Sequence, residues 1–423
     1  MQIWLSTIGQ RLDHADNTRT MLLASYLIQR GHQVTLWTSA WDHIRKIWRD
    51  EWREHAGGSW TMPNGLVVRF MKGCGYSRNI GPRRLADHML AARDFRRQAR
   101  SLPRPDIAIA SLPDHITAAA MVAEGRAAGF PVMIDVRDKW PDIFFDYAPP
   151  AMKPLVKAGL LLESRRAATA LADADALVAM MRSMLDWGLA KAGRPATADD
   201  RIFYLATMEP NLVDSAPLSD ISDANRRALE AASGRTIFTF VGTFNRTQHP
   251  ALILDAVDRM RADPGFDPSS TAVMIGGDGV DGDAVRARIA GHAFVHDLGW
   301  LKPPEMRAIL ARSDVGLLPM NFASEAFNNK AFAYLASGLP ILNGALGDLA
   351  DLIAAEGVGI NLPAGNPDAL AAAMRELAAD RPRVAAMKTR ARTLYGQSFD
   401  QATIYQDYVR HIEAVASRRL QAG

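Results

Sequence analysis

The hydrophobic positions of this chain fall into short apolar runs separated by longer stretches of helical periodicity. In the first half the runs are MQIWLSTI, HQVTLWTS, DIAIASL, PVMIDV and ALVAMM. They read as short apolar strands, each with helical sequence nearby. Between the first two lies TRTMLLASYLIQRGH, a helical stripe that stops at Gly31. The grammar restarts near residue 235 with RTIFTFVG, helical HPALILDAVDRMRAD, TAVMIGG and helix-like DAVRARIAGH, then AFVHDLGW, DVGLLPM and LPILNG. Strands alternating with helices predict βαβ units and parallel sheets with helices on both faces. Residues 211–227, NLVDSAPLSDISDANRR, are polar and open with helix breakers, so they read as a linker. The predicted architecture is α/β. Two consecutive doubly wound, Rossmann-like domains cover 1–210 and 228–399 and face a cleft. A C-terminal helix over 400–423 would pack back on the first domain.

Length agrees with two cores: 423 residues, 48% of them hydrophobic, exceed what one ordinary domain buries. Charge adds an asymmetry. Residues 1–210 carry 28 Lys and Arg against 22 Asp and Glu, and the remainder carries 21 against 24. A basic front half favours an anionic acceptor or an anionic membrane surface. No nucleic-acid-binding module is recognisable, so nucleic acid is not an expected partner. The single cysteine, Cys74 in KGCGY, forbids an intrachain disulfide and suits a reducing compartment. The opening MQIWLSTIGQ lacks the basic leader and cleavage site of a signal peptide, and no apolar run reaches the ~20 residues of a membrane span. A cytoplasmic protein is the expectation, peripheral at the inner face of the plasma membrane.

Ligands of open α/β sheets sit at the carboxyl ends of strands, so the chemistry is sought there. FVGTFNRTQHP, residues 240–250, runs from a strand through Gly242 toward a helix. A glycine lets backbone approach a ligand, and the following helix N-terminus offers N–H groups and partial positive charge for phosphate. Arg246 and His249 would add charge. An ordinary strand-to-helix turn explains the same residues. VMIGGDGVDGDAV, residues 273–285, lacks the terminal glutamate of a calcium loop and the spacing of a dinucleotide fingerprint, so it reads as a tight turn. SEAFNNKAFAYLASGLPIL, residues 324–342, puts Glu325 and Lys330 after a strand and at the mouth of a helix poor in other charge. A carboxylate there can accept hydrogen bonds from sugar hydroxyls, and a lysine suits phosphate. A solvated surface pair is the other reading. The aspartates of ADADA, residues 172–176, read as turn residues rather than metal ligands, and neither a metal nor a cofactor is expected.

In the front half, Asp13, His14, Asp16 and Asn17 cluster in the loop after the first strand, where an acceptor or a diphosphate could be reached. A helix cap at Asp16 or Asn17 competes. Asp114 and His115 occupy another strand end, with a sugar contact and a cap by Asp114 both open. DHIRKIWRDEWREH, residues 42–55, places Ile44, Ile47, Trp48 and Trp52 on one helical face flanked by Arg45, Lys46, Arg49 and Arg53. That pattern suits a bilayer interface, and RRLADHMLAARDFRRQAR, residues 83–100, would add attraction. Both faces could instead pack on the protein itself.

Taken together, the chain resembles the GT-B glycosyltransferases of the retaining family 4 type, which include many bacterial surface-polysaccharide enzymes. The matching blocks are LASYLIQRGHQVTLWTS (23–39), IDVRDKWPDIF (134–144), FVGTF (240–244) and MIGGDG (274–279). LGWL and PPEMRAILARSDVGLLP (298–319), Glu325 and YLASGLPIL (334–342) complete the set. The resemblance implies transfer of a sugar, without metal, from a nucleotide-sugar to a polysaccharide, glycolipid or other glycan acceptor. It implies Gly242 beneath the donor diphosphate, Glu325 on the sugar hydroxyls, Leu301 near the base and Asp138 facing the reacting centre from the acceptor domain. Two positions depart from the family pattern. The second acid of its E-x7-E motif falls on Ala333, and its phosphate-binding basic pair falls on Thr243 and His249. Asn329–Lys330, matching an N/S-K variant of the motif, and Arg246 would serve the phosphates instead. A non-catalytic protein of the same shape that binds a sugar or a partner, and another GT-B enzyme such as a nucleotide-sugar epimerase, are the alternatives.

Overall fold

The computed structural model describes residues 1–12, 18–55, 58–79, 81–206, 217–325, 327 and 329–422. Its contacts divide into two units, Met1–Tyr204 with Ala402–Gly423, and Leu205–Gln401. The strands of the first unit are β1 (Gln2–Ser6), β2 (Gln33–Ser39), β3 (Trp41–Asp42), β4 (Ile47–Trp48), β5 (Ser59–Thr61), β6 (Val67–Met71), β7 (Ile107–Ser111), β8 (Val132–Val136), β9 (Ala176–Ala179) and β10 (Arg201–Ile202). Eight of them form one sheet in the order β10-β9-β8-β7-β1-β2-β6-β5. Every pair is parallel except β5 with β6. β7, β8 and β9 are buried at every position, as their unbroken apolar sequences require of strands covered on both faces. An edge-to-face aromatic group fills the core: Trp4 meets Trp37, Phe95 and Phe130 at 5.3, 6.2 and 5.8 Å between ring centres.

The C-terminal helix Gln401–Ala422 closes the first unit. Tyr405 stacks on Tyr26 at 5.5 Å, Tyr408 stacks on Phe203 at 4.3 Å, and His411 Nε2 lies 2.9 Å from the Asp199 carbonyl. The boundary after Tyr204 falls six residues before the expected one. The expected linker is in part structured, because Ser222 caps a helix over Asp223–Ala231 that Glu305 ties down by accepting from Asn225 Nδ2 at 2.8 Å.

The stretch 42–55 is not one helix. Asp42 Oδ1 accepts from the Ile44 and Arg45 amides at 2.8 and 2.9 Å, Lys46 takes a left-handed φ of 58°, and β3 pairs antiparallel with β4. Trp41 and Trp48 meet edge to face across this hairpin at 5.2 Å, and only Asp50–Glu54 is helical. A local hydrogen-bonded turn thus outcompetes the helical spacing of the tryptophans, and the interfacial helix expected there does not exist. The stretch 83–100 does lie in a helix, Pro82–Ala99, with Arg100 as its C-cap. Among the described residues no helix is long and apolar enough to cross a membrane.

The second unit holds β11 (Thr236–Val241), β12 (Thr271–Gly276), β13 (Val295–Gly299), β14 (Val315–Leu318), β15 (Ile341–Asn343) and β16 (Gly359–Asn361). All pairs are parallel and the order is β13-β12-β11-β14-β15-β16. The chain moves outward one way from β11 to β13, then returns to β14 and moves the other way. Connections after β11 and β14 therefore diverge and leave a crevice at the carboxyl ends of these two strands.

Candidate active site

That crevice is where the second unit gathers its chemistry. The loops after β11 and β12 are zipped together by backbone bonds. Gly242 N donates to Gly276 O at 2.9 Å, Phe244 N to Asp278 O at 2.9 Å, and Val280 N to Phe244 O at 3.0 Å. The approach demands glycine: a Cβ on Gly277 would stand 1.9 Å from the Gly242 carbonyl oxygen. Gly242 itself has φ 135°, and a Cβ there would meet Lys330 Nζ and Cε at 2.9 Å. The strand end and the lysine thus occupy one place.

Lys330 enters from the first turn of the helix Asn329–Ala336, the element after β14. That helix is pinned by Tyr334, whose hydroxyl donates to Leu317 O at 3.0 Å and accepts from Val241 N at 3.2 Å. One phenol thereby fixes the helix against both strands that flank the crevice. The Lys330 ammonium lies 4.0 Å from the centre of the Phe240 ring and forms no ion pair among the described residues. Burial pushes its pKa down to about 7. A half-buried, partly desolvated cation set against an aromatic face and Gly242, with no acid beside it among the described residues, is poised for an anion.

The other expected donor residues differ in their fates. Glu325 is exposed on the loop after β14, and its backbone bridges in parallel to Leu346. Gly347, with φ 74°, leaves room for the acid, since a Cβ there would be 3.1 Å from Glu325 Cγ. Glu325 therefore joins the loops after β14 and β15 at the strand ends. Leu301 is half-buried and packs against Gly276, where a Cβ would meet its Cδ1 at 2.6 Å. Its neighbour Trp300 is the exposed side chain, and the sequence reading passed over it. Arg246 and Asn329 are exposed. His249 is a correction: its Nδ1 accepts from the Ala251 amide at 3.2 Å and its Nε2 lies 3.0 Å from the Val280 carbonyl oxygen. One ring nitrogen takes the first amide of the helix Ala251–Ala262 and the other faces the loop after β12, so neither the ring nor that first amide is open to a phosphate.

In the first unit, Asp13 and His14 lie outside the described residues, as do Asp16 and Asn17. The helix Arg19–Gln29 is capped by Thr18, whose side chain accepts from Met21 N at 3.4 Å. Asp114 is the cap of the helix His115–Ala128, accepting from Thr117 N at 3.2 Å. His115 is buried and turned away from solvent, with Nε2 2.7 Å from Glu163 Oε2, which in turn accepts from Arg166 at 2.8 Å. This engages Nε2, while the buried Nδ1 has no hydrogen-bond partner among the described residues. Asp138, two residues past β8, is half-buried, and burial raises its pKa above the usual carboxylate range against one backbone hydrogen bond from Lys139.

Sequence reasoning missed the group that holds the backbone leading to Asp138. Asp135, at no exposure, accepts from Arg19 Nε at 2.9 Å, Arg19 Nη2 at 3.2 Å and Arg137 Nε at 2.7 Å. Burial opposes its charge, but Arg137 and Arg19 hold its carboxyl below the usual range. Arg137 also donates to Thr20 Oγ1 at 2.8 Å. The available signal was the pair of charges closing IDVRD against an arginine in an apolar helix.

The comparisons agree with this geometry. Residues 17–198 match the family model described as a glycosyl transferase 4-like domain, and residues 235–380 match that of the glycosyl transferases group 1. Fold and crevice thus define a sugar-transferring class built from two parallel-sheet domains. Within that class the chain belongs to the GT-B glycosyltransferases, with a family 4-type first half. No protein among the curated sequences matches the chain. Among solved structures it is similar to Alr3699/HepE of Anabaena in complex with UDP (TM-score 0.68, 15% identity, 98% of this chain and 100% of that one). It is also similar to sucrose-phosphate synthase from Thermosynechococcus elongatus (0.70, 14%, 100% and 99%). A third similar structure is WaaG, a glycosyltransferase involved in lipopolysaccharide biosynthesis (0.64, 13%, 97% and 99%). At such identities the likeness speaks for the fold.

Proposed function

We propose that this glycosyltransferase is a nucleotide-sugar-dependent hexosyltransferase that acts, with retention, on a polysaccharide, glycolipid or other glycan acceptor in cell-surface glycan assembly. One observation carries the donor side: the half-buried Lys330 ammonium, with no counter-ion among the described residues, lies against Gly242 at the divergence of β11 and β14. A diphosphate would supply the missing charge. The Anabaena protein of the same fold was solved with UDP-glucose, which supports a uridine diphosphate sugar as the first donor to try. In this reading Lys330, with help from exposed Arg246, neutralises the leaving diphosphate. Glu325 accepts hydrogen bonds from the sugar hydroxyls and orients the ring. Asp138, whose carboxyl burial makes easier to protonate, handles charge or a proton on the acceptor side. No metal or cofactor enters the proposal. The basic helix Pro82–Ala99 supports contact with an anionic bilayer, which in this reading is the inner face of the plasma membrane.

Calorimetry against UDP-, GDP-, ADP- and TDP-sugars, followed by turnover of Glu325→Ala, tests the reading. A transferase loses turnover in this variant while it keeps its fold and its nucleotide. A second reading, binding without catalysis, is favoured by Ala333, a buried methyl where the family carries its second acid. It predicts donor binding with no transfer to any acceptor.

A further inference from the structure

Exposed large apolar side chains gather most densely in one short stretch of the first unit. Met152, Leu155, Leu161 and Leu162 are 45, 65, 43 and 73% exposed. The turn Pro150–Met152 and the helix Lys153–Gly159 bury none of their residues. A surface helix ordinarily buries an apolar stripe; this one shows Leu155 to solvent. The next helix, Leu161–Asp173, is anchored by Ala167, Ala170 and Leu171 in the core and projects its first two leucines outward.

The charges around this tip have one sign. Residues 150–162, PAMKPLVKAGLLL, contain Lys153 and Lys157 and no acid. The first acid, Glu163, is turned inward on His115 and Arg166. Helices Pro82–Ala99, His115–Ala128 and Leu161–Asp173 pack side by side. Met89, Arg93 and Arg96 of the first line one pocket with Arg166 of the third, so the basic helix opens to the same surface as the start of the leucine-bearing one. Lys153, Lys157, Arg93 and Arg165 form no ion pair among the described residues.

We propose that residues 150–162 are a membrane-inserting tip that sinks its leucines into the headgroup layer of an anionic bilayer while the surrounding lysines and arginines meet lipid phosphates. Apolar tips rimmed by cations suit that interface. A second copy of the chain fits poorly, because a two-fold contact through this tip sets Lys153 and Lys157 against their own counterparts. The inference rests on the peripheral-membrane part of the proposed function and gives it a place of entry.

The experiment is co-sedimentation of the full chain with vesicles of equimolar phosphatidylglycerol and phosphatidylcholine, with pure phosphatidylcholine as the control. Wild type is expected to bind the anionic vesicles only. Leu155→Ser/Leu162→Ser should weaken that binding by roughly tenfold or more, with circular dichroism and UDP affinity unchanged. A bimane label on Leu155→Cys/Cys74→Ser should shift to the blue on the same vesicles. Vesicle binding that falls in Arg93→Glu/Arg97→Glu but not in the double serine variant, with no bimane shift, overturns insertion and leaves surface attraction by the basic helix. Binding to no vesicle overturns both membrane statements, and donor binding then stands or falls separately by calorimetry. Concentration-dependent self-association abolished by the serine variant, or capture of an acidic protein in place of lipid, also overturns the proposal.

Discussion

The two units carry similar charges at their strand ends and treat them in opposite ways. In the first, Asp135 is shared by Arg19 and Arg137, His115 is held by Glu163, and Asp114 caps a helix. Each of these three has a partner that secures a loop or a helix start, although Asp114 Oδ2 and His115 Nδ1 have no hydrogen-bond partner among the described residues. In the second, Lys330 is only half-buried, and among the described residues its ammonium meets an aromatic face and no acid. A satisfied buried pair holds architecture, whereas an unsatisfied buried charge is completed by a ligand. Charge at a strand end therefore does not by itself mark a binding group.

The largest effect should come from breaking the satisfied side. Arg19→Met leaves Asp135 buried with half its partners and should cost about 3–5 kcal/mol, seen as an earlier urea transition. UDP affinity should change by less than about twofold. Glu325→Ala should lower turnover by about 100-fold, with circular dichroism and affinity for UDP itself retained; an unchanged rate rejects its assignment to the sugar.

Lys330→Met should weaken UDP binding roughly 10- to 100-fold near neutral pH without loss of folding stability, because it removes a desolvated cation rather than a bond. The pH dependence sharpens this. Below about pH 7 the folded and unfolded forms both keep the Lys330 proton, so the cost of burying the charge is present in full. Above it the folded amine is neutral while the unfolded one stays charged up to the ordinary lysine range, so this contribution to stability rises with pH. UDP affinity should move the other way, falling above about pH 7 in wild type but not in Lys330→Met. The smallest effect belongs to His249→Ala, which should cost about 1 kcal/mol as a lost cap and leave UDP affinity within about twofold. A large loss of affinity would return His249 to the site.

Much of the fold was legible because parallel strands covered by helices are rich in apolar residues: ten expected runs are strands, seven of them buried at every position. β6 was not, since Arg69 interrupts it; that side chain lies over the Trp37 ring at 5.9 Å, a contact with no local signal. The tryptophans of 42–55 fit a helical face in one dimension, but the turn made by Asp42 decides the backbone. Gly242 after a strand and Lys330 at a helix mouth were legible as positions, whereas their mutual contact was not. His249 was misread because the Val280 carbonyl that occupies it is 31 residues distant.

Sequence alone determined the element types, the two-domain class and the strand ends at which chemistry would collect, since these follow from periodicity and local backbone preference. Which charges are spent on one another, and which one is left for a ligand, was decided only in the folded molecule. Pairing depends on through-space distance and on exclusion of water, and neither is a property of neighbours along the chain.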